Sequence, residues 1–217
     1  MSNGLSLADQ IRVELRAEII GGRLLPGMPL VESDLVNTYN ASRNTIREAL
    51  HGLGQEGLTH YVRYKGVVVR CLSSDEVKDL FRVRRTLELQ AIASARPLSE
   101  CQADRMLDAI EAAQLARDRE DWRAVGTHGL RFHQQVVRLL DSPLFDEFFT
   151  NVVAQLRLVF CAAPDEALFQ APWLVRDRQI HQWLVEGDKA RAGEAMEAYL
   201  DDSERLLLNM FSQSLRH

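Results

Sequence analysis

Arg43 and Arg47 stand four residues apart in the run Ser42-Arg43-Asn44-Thr45-Ile46-Arg47-Glu48. On an α-helix that spacing puts both side chains on one face, near the helix N-terminus. Each guanidinium can bond two acceptors on a guanine edge, or a phosphate. Ile46, Ala49, Leu50 and Leu53 fall on the opposite face at the spacing of a buried stripe. A short helix with a packed back, a serine cap and two arginines at its leading end suits the major groove of DNA. The competing reading is a surface helix with two solvated arginines.

The flanking elements decide between these readings. Apolar residues at Leu7, Ile11, Leu15 and Ile19 predict a helix within Leu5 to Ile20, ending at Gly21-Gly22. Pro26-Gly27 makes a turn, Glu32 to Tyr39 has the length of a second short helix, and Asn40-Ala41 supplies a tight corner before Ser42. Gly57 stops the third helix. Tyr61-Val62-Arg63 and Val67-Val68-Val69-Arg70 flank Tyr64-Lys65-Gly66, a hairpin with a basic tip. Three helices and a basic hairpin describe a winged helix-turn-helix over residues 1–72. Lys65 and Gly66 then sit where a wing reaches the backbone or minor groove, and Ser42, Arg43, Asn44, Thr45 and Arg47 lie at the leading end of the reading helix.

The charge is distributed to match. The 217-residue chain has a formal net charge of −5, yet residues 1–72 hold eight Lys/Arg against seven Asp/Glu. Within 37–72 the count is five against two, so basic charge is concentrated where phosphates need neutralising. After Leu72, Ser73-Ser74-Asp75 is a polar junction, and no later stretch alternates like a strand. Residues 73–217 read as about six helices: Glu76 to Arg96, Ser99 to Arg117, Trp122 to Leu140, Ser142-Pro143 to Ala163-Pro164, Pro172 to Val185, and Gly187-Asp188 to Ser212. In the last, Ala192, Ala195, Met196, Tyr199, Leu206, Leu207 and Met210 form a broad apolar stripe that predicts packing into the bundle core. The fold class expected is mainly α, a winged helix-turn-helix followed by an all-α bundle.

Residues Leu7 to Arg70 resemble the DNA-binding domain of the GntR family of bacterial regulators. The resemblance is carried by Gly22-Arg23-Leu24-Leu25-Pro26-Gly27, Leu30-Val31-Glu32, Leu35, Ala41-Ser42-Arg43, Ile46-Arg47-Glu48-Ala49-Leu50, Leu53, Glu56-Gly57-Leu58 and Gly66. It implies that Arg43 and Arg47 contact an operator, helped by Asn44, Thr45 and the wing. Ser33 departs from fatty-acid-responsive members, which carry an arginine there, and implies a different operator. The bundle is similar to the FCD branch of the same family through Val83-Arg84, Leu87-Glu88, Phe132-His133, Leu139, Gly187-Asp188, Ala192, Ala195-Met196 and Leu200.

Many FCD domains hold a divalent metal with an acid, a histidine four residues later, and two histidines from the final helices, beside a carboxylate effector. Carried over by that resemblance, the four positions are Gly129, His133, Asp177 and Tyr199. His133 is kept, Asp177 is another possible ligand, Tyr199 is a poor one and Gly129 offers no donor. Asp177 with His181, or the nearby His128, could rebuild a site, but His128 and His133 lie about 140° apart around a helix. The expectation is therefore no metal cofactor; were one present, His133 and Asp177 would be its ligands. Without a metal, a carboxylate effector needs other counter-charges. Arg84 and Arg157 are the candidates, against a competing role in salt bridges such as Arg84 with Glu88, and Tyr199 could donate a phenolic hydrogen bond.

No phosphate loop, nucleophile elbow or zinc-protease helix occurs, which argues against an enzyme. Cys71, Cys101 and Cys161 are scattered and odd in number, pointing to free thiols in a reducing cytoplasm. No apolar run approaches a membrane span. The reading is a cytoplasmic regulator that binds double-stranded DNA as a homodimer on a short palindrome, under control of a small organic acid bound by Arg84, His133, Arg157, Asp177 and Tyr199. The alternative is a DNA-binding dimer whose bundle only oligomerises.

Overall fold

The computed structural model describes residues 4–161 and 166–214, with side chains to Met210. The chain divides into two compact units, Met1–Cys71 and Leu72–His217. Leu72 belongs to the bundle's apolar core rather than to the first unit, one residue earlier than the junction expected.

In the first unit, α1 (Leu7–Ile20) is capped by Ser6, whose oxygen accepts from Asp9 N–H, and buries Ala8, Ile11, Leu15 and Ile19. α2 (Glu32–Tyr39) ends on Asn40, which adopts a left-handed φ of 46° and turns the chain into α3 (Arg43–Gln55). Asparagine tolerates that conformation better than most residues, so the corner costs little. Ile46, Ala49, Leu50 and Leu53 are the buried face of α3, as the spacing predicts. α1 is clamped to the end of α3 by Glu56, which accepts from Arg12 Nη1 at 2.7 Å and Arg16 Nε at 2.8 Å. β1 (Thr59–Val62) pairs antiparallel with β2 (Gly66–Val69), Thr59 opposite Val69 and Val62 opposite Gly66. The strands begin and end earlier than the sequence suggests: Arg63 lies in the turn, and Tyr64 (φ 69°) and Gly66 (φ 78°) carry the positive φ values that reverse it. Pro29 bridges to Val68 at the other edge of β2.

The second unit is helical. α4 (Ser74–Arg84) starts with a capping box between Ser73 and Glu76. The helix expected to run on to Arg96 instead widens into a π-helical turn at Arg85–Leu89 before α5 (Gln90–Ser94). Then come α6 (Glu100–Asp118), α7 (Trp122–Val137), α8 (Pro143–Cys161), α9 (Glu166–Gln170), α10 (Trp173–Glu186) and α11 (Lys189–Ser214). The Ala163-Pro164 stop expected for the fourth bundle helix lies outside the described residues. The short α9 has no counterpart in the sequence reading. The stripe on α11 packs as expected: Ala192, Met196, Tyr199, Leu200 and Leu207 are buried, and Ala195, Leu206 and Met210 lie against the same cluster. That cluster takes Phe81, Phe132, Phe149, Leu156 and Ile180 from four more helices, a core large enough to hold buried polar groups in place.

Candidate functional site

The leading end of α3 is built by local hydrogen bonding. Ser42 Oγ accepts from Thr45 N–H at 3.1 Å and lies 2.8 Å from Thr45 Oγ1, so this serine is first a helix cap. Arg43, Asn44 and Arg47 are exposed, and Thr45 is half-buried. Arg43 and Arg47 do share a face, but their settings differ: Arg47 Nε bonds the Glu32 carboxylate, while Arg43 has no ion-pair partner among the described residues. Lys65 is exposed at the hairpin tip, where its N–H donates to Val62 O at 3.1 Å. Beside it Arg63 stacks over the Tyr64 ring, 4.8 Å from the centroid, and Tyr64 is among the most exposed large side chains at 88%.

In the bundle, a chain of buried polar groups crosses four helical segments. Arg84 Nε donates to Glu88 Oε1 at 2.6 Å, and Glu88 Oε2 lies 2.6 Å from His133 Nδ1. His133 Nε2 faces Asp177 Oδ1 at 3.7 Å, beyond hydrogen-bond reach, and the Tyr199 hydroxyl bonds the Asp177 carboxylate. Arg84 immediately precedes the π-helical turn and Glu88 lies within it, so that two charged side chains and the apolar Leu87, Ala91 and Ile92 all point inward. Burial opposes the charge on Glu88, but Arg84 and His133 beside it outweigh burial and hold its pKa below the ordinary carboxylate value. Burial lowers the His133 pKa below the ordinary imidazole value, against the pull of Glu88. Burial raises Asp177 well above the usual range, against the pull of Arg84, and raises Tyr199 as well, aided by the Asp177 charge.

These groups surround a cavity of about 10 Å³, room for the centre of a single water-sized sphere. Arg84, His133, Asp177, Tyr199 and Gly129 line it, together with Gly126, Gln170, Trp173 and Ser203. Among the described residues, buried side-chain atoms left without a hydrogen-bond partner include Arg84 Nη2, His133 Nε2, Gln170 Nε2, Trp173 Nε1 and Asp177 Oδ1, and all five belong to residues of this wall. Gly126 makes room for two side-chain ends: a Cβ there would stand 2.5 Å from Gln170 Nε2 and 2.7 Å from Arg157 Nη1, and both would have to shift. Arg157 is thus near the cavity but committed elsewhere, to Glu166 Oε1 at 2.6 Å and Cys161 Sγ at 3.3 Å.

Four of the five expected effector residues therefore meet at one cavity, and Arg157 stands behind it. Neither His128, bonded by Arg131 Nη1, nor His181, 3.1 Å from Ala103 O, lines the cavity. Among the described residues no group of three or more His, Cys, Asp or Glu is placed to hold a metal ion. Sequence reasoning missed Glu88 as a site residue, although it stands four after Arg84, and it missed Gln170 and Trp173, which carry no motif.

Each of the two units matches a known family. Residues 7–69 match the model of bacterial regulatory proteins of the gntR family, and residues 79–202 match the FCD domain. The galactonate operon transcriptional repressor of Escherichia coli is 26% identical over 98% of this chain and 96% of its own. A GntR transcriptional regulator from Rhodococcus sp. RHA1 superposes with a TM-score of 0.90 at 31% identity, covering 93% of this chain and 97% of that one. E. coli McbR/YncC shares the fold, with a TM-score of 0.81 at 18% identity over 96% of this chain and all of its own. With a winged helix-turn-helix and an FCD bundle each matched over its length, this chain belongs to the GntR family of transcriptional regulators, in its FCD branch.

Proposed function

We propose that the protein is a transcriptional repressor whose binding to operator DNA, as a homodimer, is controlled by a small organic acid held in the bundle cavity without a resident metal. The observation that carries this is the ring of buried, unpartnered polar atoms. Each such atom costs about 1–3 kcal/mol while unsatisfied, and a ligand that supplies partners recovers that cost. Arg84 Nη2, Gln170 Nε2 and Trp173 Nε1 are donors, a set that suits a carboxylate; Asp177 Oδ1 and His133 Nε2 can meet a hydroxyl on the same molecule. The cavity is far below the roughly 300–1,000 Å³ of ordinary ligand sites, so binding requires the bundle to open. The effector then shifts the population toward the opened state by its differential affinity. The galactonate operon transcriptional repressor, similar over nearly its whole length, supports repression as the sense of regulation.

The residues present do not fit a resident divalent ion. Among the described residues of the wall, His133 Nε2 and Asp177 Oδ1 are the unpartnered atoms able to ligate a cation, burial favours the protonated form of Asp177 and raises the Tyr199 pKa, and Gly129 has no side chain. Tight zinc sites use three or four such ligands. In the other unit, Arg43 and Arg47 read base edges, Ser42, Asn44 and Thr45 support them, and Lys65 and Gly66 bring the wing to the backbone.

A thermal-shift screen of small carboxylic and hydroxy acids tests the sensor reading. A true effector at a hundredfold excess over its Kd adds about 2.7 kcal/mol of stability, and it should change operator affinity in the same titration. Elemental analysis of protein purified without chelator should find far less than one metal per chain. The small cavity favours one rival, a bundle that only oligomerises; no acid shifting the melting temperature would establish it.

A further inference from the structure

The two arginines of the reading helix are not equivalent in this structure, and the difference comes from α2. Glu32 is the first residue of α2, where a carboxylate is favoured by the helix dipole. The left-handed corner at Asn40 turns the chain from α2 into α3, and Glu32 at the N-terminus of α2 bonds Arg47, one turn into the reading helix. Both oxygens of Glu32 accept from Arg47 Nε, at 3.0 and 3.2 Å. The side chains remain 35% and 68% accessible, so the pair stands at the surface rather than in the core.

We propose that Glu32 is a specificity-determining positioning residue: it holds the Nε side of Arg47 and so presents the two terminal amines of that guanidinium to DNA in one orientation. The inference rests on the reading of α3 as the base-reading helix. An arginine meets guanine through two parallel N–H groups, and with Nε engaged the remaining edge, Nη1 with Nη2, is the one free to do so. Glu32 also acts by exclusion. A phosphate approaching from the Nε side meets a carboxylate, so Arg47 contributes less to sequence-independent attraction than a free arginine such as Arg43 does. The pair gives up general affinity and gains discrimination, because fewer rotamers of Arg47 must be frozen when the correct base is met.

The test uses the full chain with Glu32→Gln, which keeps the size and removes the charge. An operator obtained by selection from random duplexes and a scrambled duplex of equal length are titrated at several salt concentrations. The expected result is tighter binding to the scrambled duplex and a salt slope steeper by about one. The ratio of cognate to scrambled affinity falls about two- to tenfold, with the melting temperature within a degree or so of the parent. In an Arg47→Ala background the same change should leave slope and ratio unmoved, since its route of action is gone. Parental slope and ratio in Glu32→Gln, or an equal loss on both duplexes, overturns the proposal. If Arg47→Ala by itself leaves specificity intact, the assignment of α3 fails first, and that outcome is distinct from a failure of Glu32.

Discussion

At the scale of residues, the bundle site is a fully buried ion pair extended into a polar chain, and that dictates which substitutions report on function. Arg84 is 1% exposed and Glu88 0%, so deleting either partner strands a charge in the core, at a cost of about 3–5 kcal/mol. Arg84→Ala should therefore unfold a large fraction of the protein and say little about the effector. Arg84→Lys keeps the charge but loses the fork that holds Glu88 with Nε while leaving Nη2 free. It should remove most of the effector-induced melting shift and leave operator binding by the ligand-free protein within about twofold; an undiminished shift would remove Arg84 from the site. Asp177 gives a pH prediction. It is faced by His133, Tyr199, Arg84, Glu88 and Arg176, and burial raises its pKa well above 3.8. A carboxyl with a raised folded pKa contributes stability that is full below its unfolded pKa and is lost as pH rises toward the folded value. Asp177→Asn abolishes that loss. The melting temperature of the variant minus that of the parent should rise as pH climbs above the ordinary carboxylate range and level off once Asp177 ionises in the folded protein, and a difference independent of pH would show that burial does not raise its pKa.

At the scale of elements, legibility follows from how local the determining forces are. The reading helix was visible because its cap, its arginine pair and its apolar stripe all lie within Ser42 to Leu53, and each is a short-range rule. Arg43→Ala or Arg47→Ala should each cost about 1–3 kcal/mol on the cognate operator if the contact is bidentate. Lys65→Ala should instead weaken binding to all sequences and flatten the salt slope by about one. Competition isotherms on cognate and scrambled duplexes distinguish the two patterns, and unchanged specificity in both arginine variants would remove α3 from the groove. The bundle was legible as helices but not as a site. The π-helical turn at Arg85–Leu89 is invisible to a periodicity of 3.6, because what it serves is the placement of Arg84 and Glu88 against His133 on α7. Likewise α9 is five residues long, too short to show a period, yet it brings Gln170 into the wall and Phe169 against Phe160 and Trp173. Matching positions to a ligand pattern found His133, Asp177 and Tyr199, which do converge. Arg157, offered as a counter-charge with a salt bridge as the competing role, pairs with Glu166 on that same unforeseen helix.

At the scale of the whole molecule, one chain offers a single reading helix, and a palindrome requires two. Two copies bound side by side would double the favourable contacts without doubling the loss of translational freedom, which is the physical argument for the proposed homodimer. The bundle also exposes apolar side chains on one helix face. Leu144, Phe145 and Phe148 are 79%, 43% and 51% exposed within the first two turns of α8, a helix whose later turns bury Val152, Val153, Leu156 and Phe160 in the core. Large apolar side chains grouped on one exposed face mark an interaction site more often than a solvated one, and their removal should not disturb the core beneath. Sedimentation of the full chain at micromolar concentration should give a dimer. Phe148→Asp with Leu144→Asp should give a folded monomer whose melting temperature falls at low concentration only as far as the lost association requires. On a palindromic duplex the parent should bind two chains per site, and the double variant should bind each half-site independently and with much lower apparent affinity. A double variant that stays dimeric would move the pairing surface away from α8, and a monomeric parent that binds palindromes at full affinity would overturn the dimer itself.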